Sequence, residues 1–240
     1  MHIAMPFLLF LTLLVTPLPR AGTNGTQAPP TIEAELGKYG VPVTQPALQA
    51  ALKDKRPEVR SLAAGELAEM RDGESTPLIV QALEREEDPL VRFNMAASLL
   101  SLDSSVGKRA LLHICNNASL PVDRRLEAAS RLVNVGNFDC LSSVESILRK
   151  TTEASIKVFA LQILAKVKVT RASLAPEIHN TLLLSLQDHN SAVRQNASEC
   201  IAALDDKAAA ASLRAAIATE PDDLTKARME ESLKSLENRP

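Results

Sequence analysis

The stretch Asp88-Pro89-Leu90-Val91-Arg92-Phe93-Asn94-Met95-Ala96-Ala97-Ser98-Leu99-Leu100 decides the fold. It opens on an acid and a proline, residues suited to the cap and first turn of a helix, and runs on without a breaker. Counted from Arg92, Met95, Ala96 and Leu99 stand at +3, +4 and +7, one face of an α-helix. The same figure recurs along the chain. Arg60 is followed by Ala63, Ala64 and Leu67, and Arg125 by Ala128, Ala129 and Leu132. Lys157 leads to Ala160, Leu161 and Leu164, and Arg194 to Ala197, Ser198 and Ile201. A fainter copy runs Lys226, Met229, Glu230, Leu233. These anchors are spaced 32, 33, 32, 37 and 32 residues apart.

Small residues at +3 and +4 let another helix approach closely, so this stripe is the packing seam between units. Ahead of each copy lies a second apolar-periodic segment, at 46–52, 77–83, 106–114, 141–148, 174–186 and 208–217. Breakers such as Pro57, Pro89, Pro121 and Pro221 separate the two members of each pair. The unit is a helical hairpin, repeated about six times. Composition agrees: aromatics are 2%, Trp is absent and Gly numbers eight, while Ala and Leu dominate a hydrophobic content of 45%. Sheets favour β-branched and aromatic residues, helices Ala and Leu. The expected class is all-α.

These residues resemble the HEAT-repeat family, and more closely its bacterial, short-period branch. Copies three, four and six lack the Asp-Pro of the family pattern. The resemblance covers about residues 46–236, and it implies a right-handed α–α superhelix, a solenoid of about six HEAT-like hairpins. It also implies that the turn acid and the anchor Arg bond to each other and to the next unit, which pairs Asp88 with Arg92 and Asp188 with Arg194. Arg60, Asp88, Arg92, Arg125, Lys157, Asp188 and Arg194 are thereby expected to be structural anchors.

Residues 1–21 have the length and hydropathy of a signal peptide, with Ala21 and Gly22 at the expected cut. The leader departs from the usual pattern in having no Lys or Arg in Met1-His2 and a proline at Pro19. Residues 22–45, rich in Thr, Gly and Pro, read as a linker with a short helix near 31–36, and 46–240 as the repeat domain. The chain is expected to be exported, to the bacterial periplasm, with no membrane insertion once the leader is removed. The alternative is an uncleaved leader that anchors a membrane-attached assembly factor.

A net charge of −2 with interspersed signs gives no electrostatic footprint for nucleic acid. The second helices of such an array line its concave surface, the usual binding face. Counting round them picks out Glu66, Glu69, Asn94, Ser98, Arg131, Asn134, Gln162, Lys166, Asn196 and Glu199 as the face offered to a partner. Acids lie in the first half and bases in the middle. No catalytic constellation accompanies it. His113, His179 and His189 lack metal-ligand spacing, and no nucleophile elbow, P-loop or dinucleotide fingerprint is present. No cofactor is expected, and the expected function is a non-catalytic scaffold for a protein or peptide. The resembling family includes phycobilin lyase subunits, whose cytoplasmic role is at odds with an exported chain. An odd cysteine count without C-x-x-C favours three buried thiols at Cys115, Cys140 and Cys200. A Cys115–Cys140 bridge is the alternative in an oxidising compartment.

Overall fold

A computed structural model describes residues 31–167 and 176–239. The proposed leader lies outside the described residues, as does the start of the apolar segment at 174–186. Among the described residues are thirteen α-helices and no strand. They are α1 (Ile32–Lys38), α2 (Gln45–Ala51), α3 (Pro57–Glu69), α4 (Thr76–Arg85), α5 (Pro89–Ser101), α6 (Ser105–Asn116) and α7 (Val122–Asn134). There follow α8 (Leu141–Lys150), α9 (Ala154–Ala165), α10 (Pro176–Ser185), α11 (Ser191–Ala203), α12 (Ala210–Thr219) and α13 (Asp223–Glu237). The six hairpins are α2–α3, α4–α5, α6–α7, α8–α9, α10–α11 and α12–α13.

The turns inside the hairpins are set by capping. Asp88 accepts the backbone N–H groups of Leu90 and Val91 at 2.9 and 3.0 Å, so its carboxylate opens α5 just before Pro89. Asn190 and Asp222 open α11 and α13 in the same way, through the amides of Val193 and Thr225. At the other end, four of the second helices stop on a left-handed residue eleven positions after the anchor. These are Arg71, Asp103, Gly136 and Asp205. In each case the next amide bonds back to the +7 carbonyl: Asp72 to Leu67, Ser104 to Leu99, Asn137 to Leu132 and Asp206 to Ile201. This is the Schellman closure. The repeat is therefore written in the backbone as well as in the side chains.

The +3, +4 and +7 residues of α3, α5, α7, α9 and α11 are all buried, and all of them but Ser198 belong to one continuous hydrophobic core. Second helices stack on one another, α3 on α5, α7 on α9, and α9 on α11 and α13 beyond it. First helices pack less closely on one another, and α8 with α10 is the closer-packed pair among them. Tight lateral packing on one layer and splaying on the other curves the array, with the second helices inside. The third hairpin departs from this rule. There α6 packs closely on both α5 and α7, while α5 and α7 meet sparsely. Gly107 makes this possible, since a Cβ at that position would lie 2.5 Å from the Leu100 nitrogen and 2.7 Å from the Ala96 oxygen.

Residues 32–45 fall in the stretch expected to be a linker. In the structure α1 packs against α3, Leu36 is fully buried, and Val41 and Val43 lie against the core. The expectation of three buried thiols is corrected: Cys115 and Cys140 form a disulfide with a Cα–Cα separation of 6.3 Å. The hairpin stacking brings the end of α6 beside the residue preceding α8, a proximity that spacing alone does not reveal. Cys200 remains a free, buried thiol.

Candidate interaction surface

The inner layer exposes a shorter list of side chains than the helical count suggests. At 3.6 residues per turn, +6 lies about 240° round from the anchor, on the flank of the helix rather than opposite the seam. Each internal second helix has neighbours on both flanks as well as its own first helix, so the buried arc is wide. Ser98 is accordingly 8% exposed and returns its hydroxyl to the Asn94 carbonyl at 2.9 Å, which removes it from the surface expected to meet a partner. Ile163 and Cys200, at the same repeat position, are fully buried. Glu66 and Arg131 are half-buried. Burial, followed by the nearby charges of Glu69 and Glu33, pushes the Glu66 carboxyl above its ordinary value.

The candidates that face solvent are Glu69, Asn134 and Lys166 at +9 and Gln162 and Glu199 at +5. The half-buried amides between them tie successive units together. Asn94 donates to Ser61 Oγ at 2.8 Å across α5 and α3, and Gln162 to Asn196 Oδ1 at 3.4 Å across α9 and α11. The remaining candidates, Glu66, Asn94, Arg131 and Asn196, thus sit at the margins of the face and the five exposed side chains form its middle.

The anchors act between units. Arg60 and Arg194 adopt the same arrangement in the first and fifth hairpins. Nε and Nη2 of Arg60 clasp Glu86 at 2.7 and 2.8 Å, while Nη1 donates to the carbonyls of Asp54 and Lys55. Nε and Nη2 of Arg194 clasp Glu220 at 2.6 and 2.5 Å, and Nη1 donates to the carbonyls of Asp188 and His189. The guanidiniums beside Glu86 and Glu220 hold both carboxyls below the ordinary value. Two expected pairings are corrected. The Asp88 carboxylate caps α5 and does not reach Arg92, whose Nη1 instead donates to the carbonyls of Leu83 and Glu86. The Asp188 carboxylate bonds Lys157 at 2.5 Å, so Arg194 meets Asp188 at its carbonyl alone. Burial pushes the Asp188 carboxyl up, and Lys157 with the Asn190 amide outweighs that, leaving it below its ordinary value. Arg125 donates to the Cys115 carbonyl at 3.1 Å.

Sequence reasoning looked at the second helices and missed two grooves in the outer layer. One of about 730 Å³ opens between α2 and α4, over Leu52, Leu78 and the Arg60–Glu86 pair. The other, about 600 Å³, opens between α10 and α12, over Leu186, Ala216 and the Arg194–Glu220 pair. Their lining residues correspond at a constant offset of 194 − 60 = 134 positions, as in Leu52 with Leu186 and Glu86 with Glu220. Among the described residues no group of three or more His, Cys, Asp or Glu side chains is placed to hold a metal ion. Nor is any described helix long and apolar enough to cross a membrane. His179 Nδ1 lies 2.6 Å from Asp206 Oδ2, a tie between α10 and the turn before α12.

The family model for HEAT repeats matches residues 44–131 and 141–234. The chain belongs to the HEAT-repeat family. No curated protein matches it. Among solved structures, this HEAT-repeat chain is similar to human deoxyhypusine hydroxylase in complex with glycerol. That match has 20% identity and a TM-score of 0.43, covering 81% of this chain and 74% of that one. It is also similar to the complex of CpcE and CpcF of phycocyanin lyase from Nostoc sp. PCC7120. There the identity is 15% and the TM-score 0.46, over 66% of this chain and 98% of that one.

Proposed function

We propose that this HEAT-repeat protein is an exported, non-catalytic adaptor that holds a protein or peptide partner on the inner face of the solenoid. The observation that carries the reading is the set of exposed polar and charged side chains on the second helices, Glu69 on α3, Asn134 on α7, Gln162 on α9 with Lys166 at its C-cap, and Glu199 on α11. They stand on a curved layer where Asn94 and Gln162 already tie successive repeats together. A scaffold of stacked hairpins offers an extended surface of this kind without needing a deep cavity. Export is supported by the apolar leader at 1–21 and by the Cys115–Cys140 bridge, since disulfides persist in oxidising compartments. The scarcity of aromatic residues on this face suits a partner held by many polar contacts rather than by a few large anchors.

The test is in-cell crosslinking of the tagged full-length protein, followed by mass spectrometry, beside a triple variant Glu69→Lys, Lys166→Glu, Glu199→Lys. A defined set of envelope proteins captured by the parent and lost by the folded variant supports the reading. Identical capture by both removes the inner face as the binding surface. Fractionation with N-terminal sequencing tests export, and a mature start near Gly22 is the expected result.

A further inference from the structure

We propose that the Cys115–Cys140 disulfide is a redox-sensitive fastener between two three-hairpin halves of the solenoid, whose opening loosens the α6–α8 joint and leaves the outer joints closed. The inference rests on the joint itself and stands whatever partner the inner face takes.

The halves are visible in three ways. The two matched blocks of repeats stop at 131 and resume at 141, so the gap spans the end of α7 and the turn into α8. The two outer grooves and the two Arg–Glu clasps repeat at the same offset, one set in each half. The fastening of the joints also changes towards the middle. The first joint is closed by Arg60–Glu86 and by Gln49 donating to Ser75 Oγ at 2.7 Å. The fifth is closed by Arg194–Glu220 and by Ser198 Oγ with Ser232 Oγ at 3.2 Å. The fourth has Lys157–Asp188 and Thr181 Oγ1 donating to Glu145 at 2.7 Å. Across the middle, neither Arg92 nor Arg125 meets a carboxylate of the next unit among the described residues. At the third joint, that of Arg125, the disulfide takes that place, with Ser143 Oγ donating to Asn116 Oδ1 at 2.6 Å beside it. Arg125 holds the Cys115 carbonyl from α7, so backbone and bridge are fixed together.

The chemistry is thiol–disulfide exchange with a small dithiol. Its thiolate attacks one Sγ and expels the other as a thiolate, which is then protonated. The second thiol of the reductant resolves the mixed disulfide, leaving two cysteine thiols and an oxidised, cyclic reductant. Both cysteines are buried, so the attack follows a local separation of α6 from α8. Once open, that joint keeps its side-chain hydrogen bond and loses its covalent tie.

The experiment is hydrogen exchange with mass spectrometry on the full-length protein, oxidised and held in dithiothreitol, beside the double variant Cys115→Ala, Cys140→Ala. Peptides spanning 138–150 are expected to exchange at least about tenfold faster in both the reduced protein and the variant. Peptides of α3 and α11 should be unchanged. Unchanged exchange at 138–150, after intact mass confirms the gain of two hydrogens, overturns the proposal. So does a uniform loss of protection across all six hairpins, which would make the bridge a support for the whole fold. A purified protein with three free thiols also overturns it.

Discussion

The two guanidinium–carboxylate clasps carry the most consequential single contacts. The Glu86 side chain is 3% exposed and that of Glu220 is 1%, so neither carboxylate can exchange its Arg for water. Glu220→Gln leaves Arg194 facing a neutral amide and is expected to cost about 2 kcal/mol by chemical denaturation. Arg92→Ala removes two bonds to carbonyls from an exposed side chain and is expected to cost about 1 kcal/mol. A larger loss at Arg92 than at Glu220 would reverse this ranking of the joints. The same carboxylates set an acid limit. Their folded-state pKa lies below the ordinary 4.5, so their stabilisation is present above that value and is lost as pH falls through the folded one. Melting temperature should therefore drop below about pH 4.5, and less steeply in Glu86→Gln, Glu220→Gln, where the groups no longer titrate. A parallel slope in the double variant would assign acid lability elsewhere. Thiols give a simpler residue-scale readout. The unfolded, unreduced protein is expected to titrate one thiol, Cys200, which burial protects in the native state by pushing its pKa up. Three titratable thiols would show that the bridge is absent.

At the scale of the helix, glycines separate a close approach from an open position. Gly107→Ala places a methyl group 2.5–2.7 Å from the Ala96 and Leu100 backbone and from Leu99 Cβ, atoms that cannot swing aside. It should destabilise by about 2–4 kcal/mol. Gly65→Ala, on α3, places its methyl 3.6 Å from Ile32 Cδ1, an ordinary contact, and should be neutral or stabilising by up to about 1 kcal/mol. Equal effects in thermal melts would refute the distinction. This contrast also marks what was legible in the sequence. The +3, +4 and +7 stripe located every second helix, because periodicity needs nothing beyond residue type. The helix ends were harder to read. Of the four left-handed closures, Gly136 alone carries the residue that announces one, and Arg71, Asp103 and Asp205 hide the same turn behind side chains that ordinarily avoid it. The inner face was half legible. Glu69, Lys166 and Glu199 are exposed, yet the count that chose them also put Ser98 on the surface because it took no account of neighbours on the flanks. The grooves, the Arg–Glu clasps and the disulfide join residues 25 or more positions apart, and no local pattern encodes which of them meet.

At the scale of the molecule, a stack of hairpins is held by neighbours, so each unit's stability depends on what covers its seam. For α11 that cover is α13, which buries Thr225, Met229, Ser232 and Leu236. The outward side of α13 carries Arg228, Glu230, Glu231 and Lys234, all exposed. The helix thus turns its uncharged side inward and a charged side outward. Truncation after Glu220 removes it while retaining the Arg194–Glu220 clasp, so the fastener stays and the cover goes. The apolar surface this uncovers around Ala197 and Ile201 matches the seam left by every other unit of the same chain, which makes the truncated molecules complementary to one another. Size-exclusion chromatography of the truncated protein is expected to show aggregates, with a lower melting temperature in whatever fraction stays soluble. A monomeric truncation that melts with the parent would mean that α13 lies on the array without supporting it, and the sixth hairpin would not count as a structural unit.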